Sequence, residues 1–194
     1  RAAGQSSIRH RTAQLVAVRE GVRNHVEETM ARLGDVLAAL AASPDVAAAL
    51  ADFSDAFPRI PEEVPVDPVL CRVQLIDFYS ARYFDSEDEG RRERKGGRSP
   101  EDYLPDTHAG LIAHYYYIAR NPHPEDRRDE LVVPEAIRFA YADAHARYHP
   151  GFRTFRRLLG FRDILLAGPD GQVLYSVRKE IDFATRIDIG PAGL

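Results

Sequence analysis

The chain has 194 residues, of which 44% are apolar and 29% charged, and a net charge of −4. That is enough chain for one sizeable domain or two small ones, and the acidic balance argues against nucleic acid as a partner. The single cysteine, Cys71, excludes an internal disulfide and a thiolate metal cage, and no apolar run approaches the roughly 18 residues that a membrane span needs.

The chain opens on Arg1 rather than Met and trails off after Ile189, which reads as an excised soluble piece of something longer. Leu15, Val18, Val22, Val26, Met30, Leu33, Leu37 and Leu40 recur every three or four positions, so the spacing predicts one long helix over 8–42. At about 1.5 Å per residue it would reach about 50 Å, a length suited to a stalk or bundle. Ser43-Pro44-Asp45 has the residues of a helix start and opens a second helix, Pro44–Phe57, with Val46, Leu50, Phe53 and Phe57 on one side. Pro58, Pro61, Pro65 and Pro68 follow closely and predict an extended connector.

A third helix is expected over Pro68–Phe84, with Val69, Val73, Ile76, Tyr79 and Tyr83 as its apolar stripe. Asp85–Arg98 has no aliphatic side chain and reads as a mobile charged loop. Ser99-Pro100 restarts a helix that runs to about Arg120, interrupted near Pro105 and ended by Asn121-Pro122-His123-Pro124. After a loop at Glu125–Glu130, a last helical segment is expected from about Val133 to Leu159, broken by Pro150-Gly151.

The stretch Phe161–Ile187 carries the one clear hairpin signal. Apolar runs Asp163–Ala167 and Gln172–Val177 flank Gly168-Pro169-Asp170-Gly171, which fits a type I turn closed by a glycine bulge. A polar set, Arg178-Lys179-Glu180-Ile181-Asp182, follows.

The chemistry-bearing residues form no catalytic signature. His145 and His149, four apart on a predicted helix, have the spacing of a metal pair, but HARYHP lacks the glutamate of a hydrolytic zinc helix and offers no third ligand. Tyr115, Tyr116 and Tyr117 point in three directions on a helix, so at most two can be core. There is no phosphate loop and no nucleophile elbow. The reading is therefore a protein that is not an enzyme and holds no metal or cofactor.

Several segments resemble a known family. Tyr117-Ile118-Ala119-Arg120-Asn121-Pro122 is followed by His145-x-x-Tyr148-His149-Pro150-x-Phe152-Arg153, which leads into Gly160-Phe161-Arg162-Asp163-Ile164-Leu165-Leu166. Then come Gly171-Gln172-Val173-Leu174-Tyr175-Ser176-Val177-x-Lys179-Glu180-x-Asp182-Phe183-Ala184-Thr185 and Gly190-Pro191. Together they resemble the extracytoplasmic sensing regions, Cache-like and PAS-related, of bacterial transmembrane receptors: methyl-accepting chemotaxis proteins, sensor histidine kinases and receptor-type cyclases.

The resemblance implies an α+β fold that is mainly helical: a long N-terminal helix, a helical bundle, and a C-terminal hairpin resembling the start of a Cache or PAS-like sheet. It divides the chain into a helical sensor region, 8–160, and a hairpin with tail, 161–194, that is an incomplete sheet. It also implies a periplasmic or extracellular location, flanking transmembrane segments outside this chain, and a homodimer formed through the N-terminal helix. The ligand would be a small molecule bound between the last helix and the hairpin. Its expected contacts are Tyr117, His145, Tyr148, His149, Arg153, Tyr175, Lys179 and Asp182, with Lys179 and Arg153 pairing any carboxylate. The alternatives are a helical dimerisation or interaction module without a ligand, and a metal-dependent enzyme built on His145 and His149.

Overall fold

A computed structural model describes residues 2–84, 99–135 and 137–187, with side chains from Gln14 onward. The expected charged loop, 85–98, and the Gly190-Pro191 pair lie outside the described residues. The protein is mainly helical with a two-stranded antiparallel sheet, as the sequence implies. It divides into two compact units, 1–47 and 48–194, and the hairpin belongs to the second together with most of the helices.

The first unit is dominated by α1, Ala2–Ala41. Its stripe is the one read from the sequence, and Leu15, Val18, Val22, Val26, Met30 and Leu37 are all exposed. From Leu15 to Leu40 the stripe advances 25 residues in seven steps, close to the roughly 3.6 per turn of a straight helix, so these side chains stay on one face.

In the second unit, α2 (Pro44–Glu63) overturns one expectation, because the helix continues through Pro58 and Pro61 instead of ending at Phe57. A proline inside a helix removes a hydrogen bond and costs about 3 kcal/mol. Here the apolar face Ala49–Phe53–Ala56–Phe57 carries on to Ile60 and to Val64 just beyond the helix, both nearly inaccessible. Each burial is worth about 1.5–3 kcal/mol and offsets that loss. Arg59 ties the turn from both sides, pairing with Asp55 at 2.9 Å and Glu63 at 2.6 Å.

Helix α3 (Pro68–Tyr79) starts on Asp67, whose carboxylate accepts the Val69 N–H at 2.8 Å, and widens into a π turn at Ser80–Phe84. Its buried face is Cys71, Leu75 and Tyr79, whereas Val69 and Val73 are exposed. Four-residue steps from Cys71 outcompete the predicted stripe because Tyr79 and Leu75 cluster with Tyr103, Leu104 and Leu111. After a 3-10 turn at Pro100–Tyr103, α4 (His108–His114) starts on Thr107 and passes into a π turn at Tyr115–Ala119. Tyr115 and Tyr117 are buried and Tyr116 is not, within the limit of two. A 3-10 turn occupies Glu125–Glu130 where a loop was expected.

Helix α5 (Ala140–Leu159) begins later than predicted and runs unbroken through Pro150-Gly151. Its buried residues Tyr141, Ala144, His145, His149 and Phe152 keep one face against the core, and Pro150 and Gly151 fall on the exposed side. Gly160, at φ 67°, then turns the chain out of the helix. Strands β1 (Leu165–Ala167) and β2 (Val173–Ser176) pair antiparallel, with a bulge between Leu166 and Ala167. The Gly171 N–H closes the turn on the Gly168 carbonyl at 3.0 Å, and Gly171 takes φ 83°, as the sequence predicts. All of β2 is buried, and its Tyr175 ring packs on Phe53 of α2 and Phe152 of α5.

One close approach fixes α4. A Cβ on Gly110 would stand 2.5 Å from Pro105 Cβ and 2.8 Å from the Ala184 carbonyl oxygen. Gly151, also helical, has nothing within 4 Å. Gly110→Ala should lower stability by about 1–3 kcal/mol through overpacking, while Gly151→Ala should leave it unchanged or raise it by up to about 1 kcal/mol. Urea unfolding of the two variants measures both, and equal effects would show that α4 has room to move.

Candidate functional site

The site is built by the end of β2. Asp163 stands where β1 begins, and its Oδ1 accepts the backbone N–H groups of Val177 at 3.1 Å and Arg178 at 3.0 Å. Its Oδ2 accepts the Ser176 hydroxyl at 2.7 Å, and Ser176 Oγ in turn accepts the Lys179 N–H at 2.9 Å. These bonds fold the chain back at Lys179, which takes φ 56°, a left-handed conformation that a side chain makes unfavourable. Arg128 supports the bend from outside through the Lys179 carbonyl at 3.4 Å.

The bend sends the Lys179 side chain inward, where it is 1% exposed. Its amine lies 4.6 Å from the centre of the Tyr175 ring, 5.4 Å from that of Phe183 and 5.7 Å from that of Tyr117. Its one hydrogen bond is donated to the Ser176 carbonyl. Among the described residues no carboxylate reaches ion-pairing distance of this amine. Burial therefore pushes Lys179 down to about 7, with Asp163 and Asp129 opposing from further off.

Three buried histidines surround this core, and their partners fix their tautomers. His149 Nε2 faces the Asp129 carbonyl at 2.8 Å and so carries the proton, leaving Nδ1 to accept the Tyr175 hydroxyl at 2.7 Å. His114 repeats the scheme, with Nε2–H donated to the Phe183 carbonyl and Nδ1 accepting the Tyr79 hydroxyl at 2.9 Å. His145 differs. Its Nδ1–H goes to the Val132 carbonyl at 2.7 Å, and its Nε2 has no partner among the described residues. The Tyr117 hydroxyl is likewise buried without a partner, and the Tyr117 ring lies 4.8 Å from that of His145. Burial, then the charge of Lys179, pushes His145 well below its ordinary range and His149 down to about 3; burial takes His114 to about 4.

Five of the eight predicted contact residues thus come together: Tyr117, His145, His149, Tyr175 and Lys179. Three do not join them. Tyr148 turns toward α2, where its hydroxyl donates to Asp52 at 2.7 Å. Arg153 already has carboxylates of its own, Asp129 at 3.0 Å and Glu130 at 3.1 Å. Asp182 lies on the turn beyond Lys179, half-buried, with one carboxylate oxygen unpartnered among the described residues. Arg153 is thus held by carboxylates of the protein itself, while Lys179 has none at ion-pairing distance among the described residues. His145 and His149 stack at 4.2 Å with three of their four ring nitrogens engaged, and among the described residues no cluster could hold a metal ion.

Sequence reasoning missed Phe183, which returns from the turn to close the aromatic shell, and Asp163, which organises it. The signal for Asp163 was present: counting back from the turn sets it across from Ser176–Arg178. A separate groove of about 530 Å³ opens between Phe57, Thr107, His108, Gln172 and Leu174, and none of the eight predicted residues lines it.

The neutral histidines tie stability to pH. Unfolded, each binds a proton near 6.5, so below that value the unfolded chain holds more protons and stability falls as pH drops toward 4 and 3. Each contributes about 1.4 kcal/mol per pH unit across its window. Lys179 acts in the same direction higher up, because it releases its proton near 7 folded and 10.5 unfolded, so stability rises across that interval. The urea midpoint should climb from pH 5 to pH 7 and keep climbing to about pH 9; a flat profile would mean that these groups are solvated in the folded protein. Compared with known proteins, the chain matches no family model, no curated protein and no solved structure.

Proposed function

We propose that the chain is an extracytoplasmic ligand-sensing region of a bacterial transmembrane receptor. The observation that carries this reading is the centre of the second unit. Among the described residues, a buried amine there has no carboxylate at ion-pairing distance, and the Tyr117 hydroxyl and His145 Nε2 have no hydrogen-bond partner. Unsatisfied buried polar groups cost about 1–3 kcal/mol each, and a small polar ligand seated among them would recover that loss. The site lies between α5 and the hairpin, where a Cache-like sensor would hold its ligand. No single described helix is long and apolar enough to cross a membrane, so the reading assigns the spans to flanking segments.

Relay belongs to α1 on this reading. Its apolar stripe would pair with the same stripe of a second copy, and a ligand would act by binding the two arrangements of that pair with different affinity. The exposed stripe equally supports the alternative, a dimerisation module with no ligand of its own.

A thermal-shift screen of small acids, amines and carbonyl compounds separates the two. The sensor reading expects at least one compound to stabilise the protein by about 2–3 kcal/mol at a hundredfold excess over its Kd. It also expects that gain to vanish in Tyr117→Phe. No shift across the panel would leave the dimerisation reading. For the stripe, Val22→Asp with Leu37→Asp should convert a dimer into a monomer in sedimentation equilibrium, and an unchanged mass would remove α1 as the interface.

A further inference from the structure

The chain contains 24 arginines and two lysines, Lys95 and Lys179. In a sequence that meets almost every need for a cation with arginine, a lysine at the most enclosed cationic position is a specific choice. The two side chains differ in one respect that matters there: an arginine cannot release its proton, while a desolvated lysine can and becomes a nucleophile.

Around Lys179 the chemistry of an amine nucleophile is already assembled. Three aromatic rings surround Nζ, and among the described residues no carboxylate lies at ion-pairing distance from it. His145 Nε2 is an unprotonated acceptor, since Nδ1 carries the proton to Val132. The Tyr117 hydroxyl is a free donor. Among the described residues nothing else bonds to these two groups. Left-handed residues at Lys179 (φ 56°) and Ala184 (φ 59°) bracket Phe183, so the segment closing the shell is held in strained backbone at both ends.

We propose that the ligand of this site is a small aldehyde or ketone, captured as a reversible imine on Lys179. This rests on the sensor reading and names its ligand class. The Nζ lone pair attacks the carbonyl carbon and forms the C–N bond, while the carbonyl π pair moves to oxygen, which takes the Tyr117 proton. Nζ gives a proton to His145 Nε2, leaving a carbinolamine. The His145 proton then passes to the carbinolamine hydroxyl, which departs as water while the nitrogen pair forms the C=N bond, and the iminium N–H proton returns to the tyrosinate, so the sum is amine plus carbonyl giving imine plus water. Nothing is oxidised or reduced.

Borohydride reduction tests this directly. The folded protein is incubated with acetaldehyde, acetone or pyruvate and cyanoborohydride, then digested and mapped by mass. The expected result is a reduced adduct on Lys179 formed at least tenfold faster than on Lys95 or the N-terminal amine. Tyr117→Phe and His145→Gln, which keep the volume of the core, should slow the Lys179 adduct about tenfold or more and leave the Lys95 rate unchanged. Adducts on Lys95 and the N-terminus alone, or on Lys179 only in denaturant, overturn the proposal. If small acids still shift the melting temperature while Lys179 stays unlabelled, the imine falls and the sensor reading survives. No label and no shift removes both.

Discussion

A single amine governs the second unit. Lys179 is buried among rings, with no carboxylate at ion-pairing distance among the described residues, and most of what surrounds it follows from making that tolerable. The backbone must bend sharply to bring it in, which requires Asp163 to gather two N–H groups and a hydroxyl at the end of β2. The ring faces supply a weak cation–π field in place of a carboxylate. The neighbouring histidines must stay neutral, because a second positive charge beside an uncompensated ammonium in a low-dielectric core would be repelled. Burial meets that demand in each of them, against a backbone carbonyl that accepts from one ring nitrogen and favours its protonation.

Two of the histidines are fully satisfied by a tyrosine on one side and a carbonyl on the other. His145 is the exception, and the exception lies on the side of Tyr117, the one fully buried tyrosine in this core whose hydroxyl also goes unmet. Tyr79, Tyr141 and Tyr175 each find an acceptor. The core satisfies its other fully buried tyrosine hydroxyls and leaves one adjoining pair unpartnered among the described residues, beside the buried Lys179. Structural need alone would have been met by Phe at 117 and by a second carbonyl for His145.

Periodicity and turn chemistry made much of this legible in the sequence. The α1 stripe, the Asp67 and Thr107 starts, and the turn at Gly168–Gly171 follow from local rules that depend on few residues. Pro58, Pro61 and Pro150 break a helix by local cost, which tertiary burial here outweighs. Ile60, Val64 and Phe152 sit past those prolines on faces already committed to the core, and their burial outweighs the lost hydrogen bonds. The site divided in the same manner. Tyr117, His145, His149, Tyr175 and Lys179 could be gathered because α5 and the hairpin are adjacent in the chain. Tyr148 and Arg153 were misplaced because their partners, Asp52 and Asp129, lie far off in sequence, and no spacing rule connects them.

The bend at Lys179 also suggests how occupancy would reach the rest of the unit on the proposed reading. The amine's one bond is to the carbonyl of Ser176, the same residue whose hydroxyl links Asp163 to the Lys179 backbone. Any ligand that takes the amine breaks that bond, and the turn Glu180–Thr185 must adjust. That turn is not a free loop: Thr185 accepts the Val173 N–H at 2.7 Å, and the Ala184 carbonyl sits against Gly110 of α4. Displacement at Lys179 is therefore carried at once to the start of β2 and to α4, through packed contacts with little slack. A sensor needs such a short path from a buried event to two separate elements, and a residue placed for stability alone has no use for it.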